Sequence, residues 1–169
     1  MSPDWILVGP PGSGKSTVGQ ALATRLGLAF RDTDDDLEER FGKPIAQIFV
    51  DDGEQTFRDA EVEVVAAALA SHEGVLALGG GAPLRPETQA ALHGRRVVFL
   101  DVSLSEAANR IGLSAARPLL MGNVRGTMKR LMDERRPVYT SVATVTVLTD
   151  GLDPDVLAGR IVEHEETSA

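Results

Sequence analysis

Cysteine is absent from the 169 residues, which excludes disulfides, thiol nucleophiles and cysteine-ligated zinc. No apolar stretch approaches bilayer-spanning length, and the amino terminus lacks a basic segment followed by an apolar core, so a cytoplasmic chain is expected. Positive charge is also short: a formal net charge of −8 argues against general binding to nucleic acid or anionic membrane. Only Lys15, Lys43 and Lys129 are lysines. The remaining cations are arginines, whose planar forks suit bidentate capture of carboxylate and phosphate. The three histidines, His72, His93 and His164, show no metal-binding spacing and read as surface or helix-end residues. What is present, 43 % hydrophobic and 25 % charged residues, is the composition of one globular domain with a good core.

The most informative segment is Gly9-Pro10-Pro11-Gly12-Ser13-Gly14-Lys15-Ser16, which satisfies G-x-x-x-x-G-K-[ST]. An apolar run, Trp5–Val8, precedes it, and Thr17 opens a helical pattern with apolar positions at 18, 21, 22 and 26. Glycines let backbone N–H groups turn toward an anion, and the helix N-terminus adds about half a positive charge there. The pattern in this context predicts a nucleoside triphosphate site. Its loop residues Gly12, Ser13, Gly14 and Thr17 surround the phosphates, Lys15 reaches the β/γ-phosphates, and the Ser16 hydroxyl ligates Mg2+.

Strand and helix signals alternate, which predicts an α/β chain built on a parallel sheet with helices on both faces. Strands are expected at Trp5–Val8, Ala29–Arg31, Val75–Leu78, Arg96–Asp101 and Thr144–Leu148. Helices are expected at Lys15–Leu26, Asp34–Phe41, Ile45–Phe49, Gly53–Ala70, Pro86–Leu92, Leu104–Arg110, Arg125–Arg135 and Pro154–Glu165. Pro137 is expected to end the seventh, because proline donates no hydrogen bond to the preceding turn. The stretch Gly112–Gly126 reads as a loop. In such a sheet, ligands bind beyond the carboxyl ends of the strands. Three of those ends, the glycine-rich loop, Asp32-Thr33-Asp34 and Gly79-Gly80-Gly81, are expected to share one crevice.

The acceptor of a phosphoryl group must be read outside the P-loop. Asp32 and Asp34 occupy alternate positions of a segment expected to be extended, so both face one way. One is suited to Mg2+, directly or through water, and the other to an acceptor hydroxyl. Asp35 and Asp36 read as caps of the following helix. Arg58 and Glu61 share a helix face, either as an oriented guanidinium or as an exposed ion pair worth a few tenths of a kcal/mol. Three glycines at the end of an apolar strand let a ligand approach the backbone closely. Asp101, at the end of Val97–Leu100, is a lesser candidate for Mg2+, and Asp32 the preferred one.

Taken together, these residues resemble shikimate kinase across nearly the whole chain. The resemblance rests on the P-loop, Asp32-Thr33-Asp34, Gly53-Glu54-x-x-Phe57-Arg58-x-x-Glu61, Gly79-Gly80-Gly81, Arg117-Pro118-Leu119-Leu120 and Glu134-Arg135-x-Pro137-x-Tyr139, all in the family's order. It implies a fold like that of nucleoside monophosphate kinases, a three-layer sandwich around a five-stranded parallel sheet of order 2-3-1-4-5. It also implies transfer of the ATP γ-phosphoryl group to the 3-hydroxyl of shikimate, in aromatic amino-acid biosynthesis. By the family's pattern Asp34 binds the reacting hydroxyls, Arg58 and Arg135 hold the shikimate carboxylate, and Gly79, Gly80 and Gly81 line the substrate. Arg136, beside Arg135, is the alternative for that second arginine. Arg117 sits on a lid over about 112–124, Arg110 lies against the adenine, and the Thr149–Pro154 loop resembles the adenine-binding segment. The acceptor region spans about 33–61 of a single domain, 1–169, and the chain is expected to be a monomer. A kinase of another small hydroxylated acid, such as gluconate, is the near rival. A nucleotide acceptor fits less well, because the acceptor region offers few aromatic surfaces for a base. A nucleotide-holding protein without turnover is the more distant one.

Overall fold

A computed structural model describes residues 2–111 and 121–168, with side chains at 2–111 and 125–164. Five parallel strands form one sheet: β1 (Trp5–Val8), β2 (Phe30–Asp32), β3 (Val75–Ala77), β4 (Val97–Asp101) and β5 (Val145–Leu148), in the order β2-β3-β1-β4-β5. The register pairs Leu7 with Ala77 on one side and with Val98 on the other, so β1 is central. The helices among the described residues are α1 (Lys15–Leu26), α2 (Thr33–Phe41), α3 (Ile45–Asp52), α4 (Glu54–Ser71), α5 (Pro86–Leu92), α6 (Leu104–Arg110), α7 (Met121–Val142) and α8 (Pro154–Ser168).

All four residues of β1 are buried, and alternation along it divides the core in two. Trp5 and Leu7 face α1 and α8 through Val18, Leu22, Leu157 and Ile161. Ile6 and Val8 face the opposite layer, through Val65, Leu69, Leu92 and Tyr139 of α4, α5 and α7. A strand apolar on both faces needs helices on both faces, which gives the three-layer sandwich. A lateral cluster of Leu37, Ile48, Phe57 and Val64 packs α2 and α3 against α4 and holds the acceptor-side helices beside the sheet.

Helix α7 departs from expectation. It starts at Met121, inside the stretch expected to be loop, and runs through Pro137 to Val142. Proline forfeits one helical hydrogen bond, but the turns beyond it are held by tertiary contacts. Tyr139 is buried against Phe99 with ring centroids 5.1 Å apart, and Ala143 N–H still bonds to the Tyr139 carbonyl. Burial of that aromatic ring outweighs the local propensity. A second departure is smaller: α2 begins at Thr33, so Asp34 lies in its first turn and not on an extended segment.

Candidate active site

The loop from Gly9 to Gly14 connects β1 to α1, and its backbone is held by its own glycines and by two cations. Gly14 caps α1 at φ 89°, a left-handed conformation that excludes ordinary side chains. Lys15 Nζ donates to the Gly9 and Pro10 carbonyls at 2.7 and 3.1 Å. Arg110 Nη1, from α6, donates to the Gly12 and Ser13 carbonyls at 3.2 and 3.1 Å. Two cations therefore hold four carbonyls of the loop, which borders a cavity of about 380 Å³. That cavity is lined by Gly12, Gly14, Lys15, Ser16, Thr17, Asp32, Asp34, Leu78 and Arg110. Burial lowers Lys15 to about 8, against the pull of Asp34 and Asp32.

Arg110 also bonds to the hydroxyl and carbonyl of Thr149, both at 2.9 Å. Thr149 is buried at the end of β5, and its N–H bonds to the Asp101 carbonyl. Beyond Arg110 a second cavity of about 340 Å³ takes in Gly14, Thr17, Gly151 and Pro154. Apart from Arg117, the expected nucleotide residues thus lie around two adjoining cavities, and Thr149, in the sequence only the start of a loop, holds Arg110 between them.

Asp32 caps α2. Its Oδ1 accepts from the Asp34 N–H at 2.9 Å, and its Oδ2 accepts from Ser16 Oγ at 2.6 Å. The cap is therefore not Asp35 or Asp36. Asp36 pairs with Arg31 at 2.7 Å, and both acidic residues sit in the first turn, where the helix dipole favours negative charge. The bend between Asp32 and Asp34 still brings both carboxylates to the crevice. Asp34 is pushed up to about 6, chiefly by burial and then by Asp32, with Lys15 opposing.

Arg58 and Glu61 are not a surface pair. Glu61 is 2 % exposed and accepts from Arg58 Nη1 at 2.8 Å. The guanidinium lies 5.7 and 5.3 Å from the ring centres of Phe49 and Phe57. The triple glycine runs beneath these groups. A Cβ at Gly79 would stand 2.6 Å from Asp34 Oδ1 and 2.9 Å from Glu61 Oε2, and one at Gly81 would collide with the Arg58 guanidinium. Thr33 Oγ1 accepts from the Gly79 N–H at 3.3 Å, and Tyr139 Oη donates to the Gly80 carbonyl at 2.6 Å. Neither anchoring role was read in the sequence, because a hydroxyl bonding to a loop 46 or 59 residues away leaves no local pattern.

The two adjacent arginines of α7 separate. Arg136 donates to Asp101 Oδ1 at 3.0 and 3.3 Å, which commits that aspartate to an ion pair. Arg135 lines an apolar cavity of about 250 Å³ with Pro10, Pro11, Met128 and Met132. Its Nε is buried with no hydrogen-bond partner among the described residues. Pro10 and Pro11 belong to the P-loop, so Arg135 sits beside it, and its charge acts on Lys15, Glu61 and Tyr139. Arg117 lies outside the described residues.

A P-loop at the end of a central strand, with carboxylates and arginines across the crevice, defines a P-loop kinase. The family model for shikimate kinase matches residues 11–166. A shikimate kinase of Salinispora arenicola is 61 % identical over 161 residues, covering 95 % of this chain and 96 % of its own. Among solved structures, shikimate kinase from Acinetobacter baumannii in complex with shikimate superposes with a TM-score of 0.90. That protein is 33 % identical, covering 99 % of this chain and 94 % of its own. A gluconokinase from Sinorhizobium meliloti, 22 % identical with a TM-score of 0.55, shares the fold alone; it covers 99 % of this chain and 98 % of its own. The chain belongs to the shikimate kinase family. Its sheet order is the one the resemblance implied.

Proposed function

We propose that the chain moves the γ-phosphoryl group of ATP to the 3-hydroxyl of shikimate, as a cytoplasmic monomer, in aromatic amino-acid biosynthesis. The observation that carries this reading is Arg135. It borders the P-loop prolines and its charge acts on Lys15 and Glu61, so a substrate carboxylate between it and Arg58 would give both cations a charged acceptor. Arg58 completes the fork, with Glu61 and the two phenylalanine rings fixing its plane. Asp34 accepts from the hydroxyl that reacts. With its proton affinity raised to about 6, it can hold the hydroxyl at neutral pH and take the proton as transfer proceeds.

On the donor side Lys15 exchanges the Gly9 and Pro10 carbonyls for phosphate oxygens, and the loop amides stabilise the charge that develops. Arg110 and Pro154 border the adenine, and Arg117 joins the phosphates on the resemblance alone. Ser16 Oγ and Asp32 Oδ2 are hard oxygen donors side by side, a set that fits Mg2+ held mainly by phosphate oxygens. Among the described residues no cluster of three or more side chains can hold a metal by itself. When bound, the ion neutralises phosphate charge. The acceptor region is assigned to about 33–61, and a lid over about 112–124 rests on the resemblance alone, with 112–120 outside the described residues.

A coupled ADP-release assay tests this directly, with shikimate, quinate, gluconate and a nucleoside monophosphate panel as acceptors. Turnover confined to shikimate is expected. Nucleotide binding without acceptor-dependent ADP release overturns the assignment.

A further inference from the structure

Tyr139 closes the Glu134-Arg135-x-Pro137-x-Tyr139 run. Packing alone does not explain it. The ring is buried against Phe99, a contact phenylalanine would make equally well. The hydroxyl, however, is committed: Oη donates to the Gly80 carbonyl at 2.6 Å. A phenol has one proton to give, so its oxygen can otherwise only accept. Arg135, which can only donate, lies four residues earlier on the same helix and hence on the same face. Burial pushes the Tyr139 phenol up, while the charge of Arg135 pulls it back. Arg58 and Glu61, from α4, face the same hydroxyl with opposite effects. The other end of the glycine segment is pinned by Thr33 of α2.

We infer that Tyr139 is a positioning residue, whose hydroxyl joins the Arg135 guanidinium to the Gly80 carbonyl. The carboxylate-binding cation and the backbone under the substrate are thereby held in one geometry. The inference rests on the proposed role of Arg135. It also gives the proline a context: α7 must continue past Pro137 for the phenol to reach the loop.

The test is steady-state kinetics of Tyr139→Phe, Arg135→Ala and the double variant, with melting temperatures for each. Tyr139→Phe is expected to raise KM for shikimate about 10–100-fold, leaving kcat and KM for ATP within about twofold, as loss of one hydrogen bond to a charged group implies. The double variant should be less than additive, because part of the hydroxyl's effect passes through that arginine. The penalty should also shrink with the carboxamide of shikimate, leaving the share that passes through Gly80. An unchanged KM in Tyr139→Phe overturns the inference, as does additivity in the double variant. Equal losses in kcat and in both KM values would mean general damage, and would overturn it too. An Arg135→Ala variant with normal shikimate KM removes the carboxylate assignment itself. A raised KM there with none in Tyr139→Phe overturns the inference alone.

Discussion

Asp34 illustrates how a functional side chain sets itself against stability. Its folded pKa of about 6 lies above the ordinary 3.8, so the folded state holds that proton more tightly than the unfolded chain. Its contribution is favourable below pH 3.8 and is lost as the pH rises through about 6. At neutral pH the ionised carboxylate costs at most roughly 2–3 kcal/mol. Asp34→Asn is therefore expected to raise the melting temperature at neutral pH, to lose that advantage in acid, and to abolish turnover. In the unsubstituted enzyme, kcat/KM for shikimate should fall on the acid side of about 6, where Asp34 is protonated. kcat/KM for ATP should fall above about 8, where the free Lys15 loses its charge. A flat profile between pH 5 and 7 would exclude Asp34 as the group that must be ionised.

Gly79 makes the complementary point. The atoms a Cβ would meet there are the ends of the Asp34 and Glu61 side chains, which can yield without moving backbone. Gly79→Ala should thus fold with a melting temperature close to that of the parent while losing about 10–100-fold in kcat/KM, or about 1.4–2.7 kcal/mol of transition-state binding. A fall in stability with normal kinetics would reverse the assignment of that glycine.

Among the elements, α7 shows where a local rule gives way. Pro137 reads as a helix terminator because its chemistry is local, yet the helix runs through it to Val142; Tyr139, two residues on, anchors the helix through a loop 59 residues away in sequence. Pro137→Ala restores a donor N–H at an exposed position and is expected to stabilise the fold by about 1–3 kcal/mol. For a chain of this size that is about 2–12 °C in melting temperature, read by calorimetry. No gain would mean that the proline's fixed φ is itself part of the native turn. The beginning of α2 shows the same division. Four acidic residues in five, Asp32 to Asp36, announced a helix start and a polar site together. Which carboxylate capped, which paired with Arg31 and which faced the crevice depended on the strand and the P-loop beside them. Periodicity and glycine spacing carried the sheet, the P-loop and the three strand ends. The separation of Arg135 from Arg136 needed the position of Asp101 on β4.

For the whole molecule, the uneven distribution of charge matters more than its sum. A chain of net charge −8 concentrates Lys15, Arg58, Arg110 and Arg135 around its crevice. Anionic ligands that bind only the folded state should stabilise it by mass action, by about 2.7 kcal/mol at a hundredfold excess over Kd. ATP and shikimate are each expected to raise the melting temperature by about 5–11 °C under those conditions. A ligand that fails to do so at saturating concentration does not occupy the site described.

The stitch from Gly12 and Ser13 through Arg110 to Thr149 spans almost the full length of the chain. Helix α1, which carries Lys15 and Ser16, is covered by Leu157, Ala158 and Ile161 of α8. The two links of that stitch join residues 98 and 39 positions apart in sequence. Neither can form by local collapse, so the supports of the P-loop wait on the closure of long chain loops. A chain cut before Thr149 would carry the nucleotide motif without the hydroxyl and carbonyl that hold Arg110 against it.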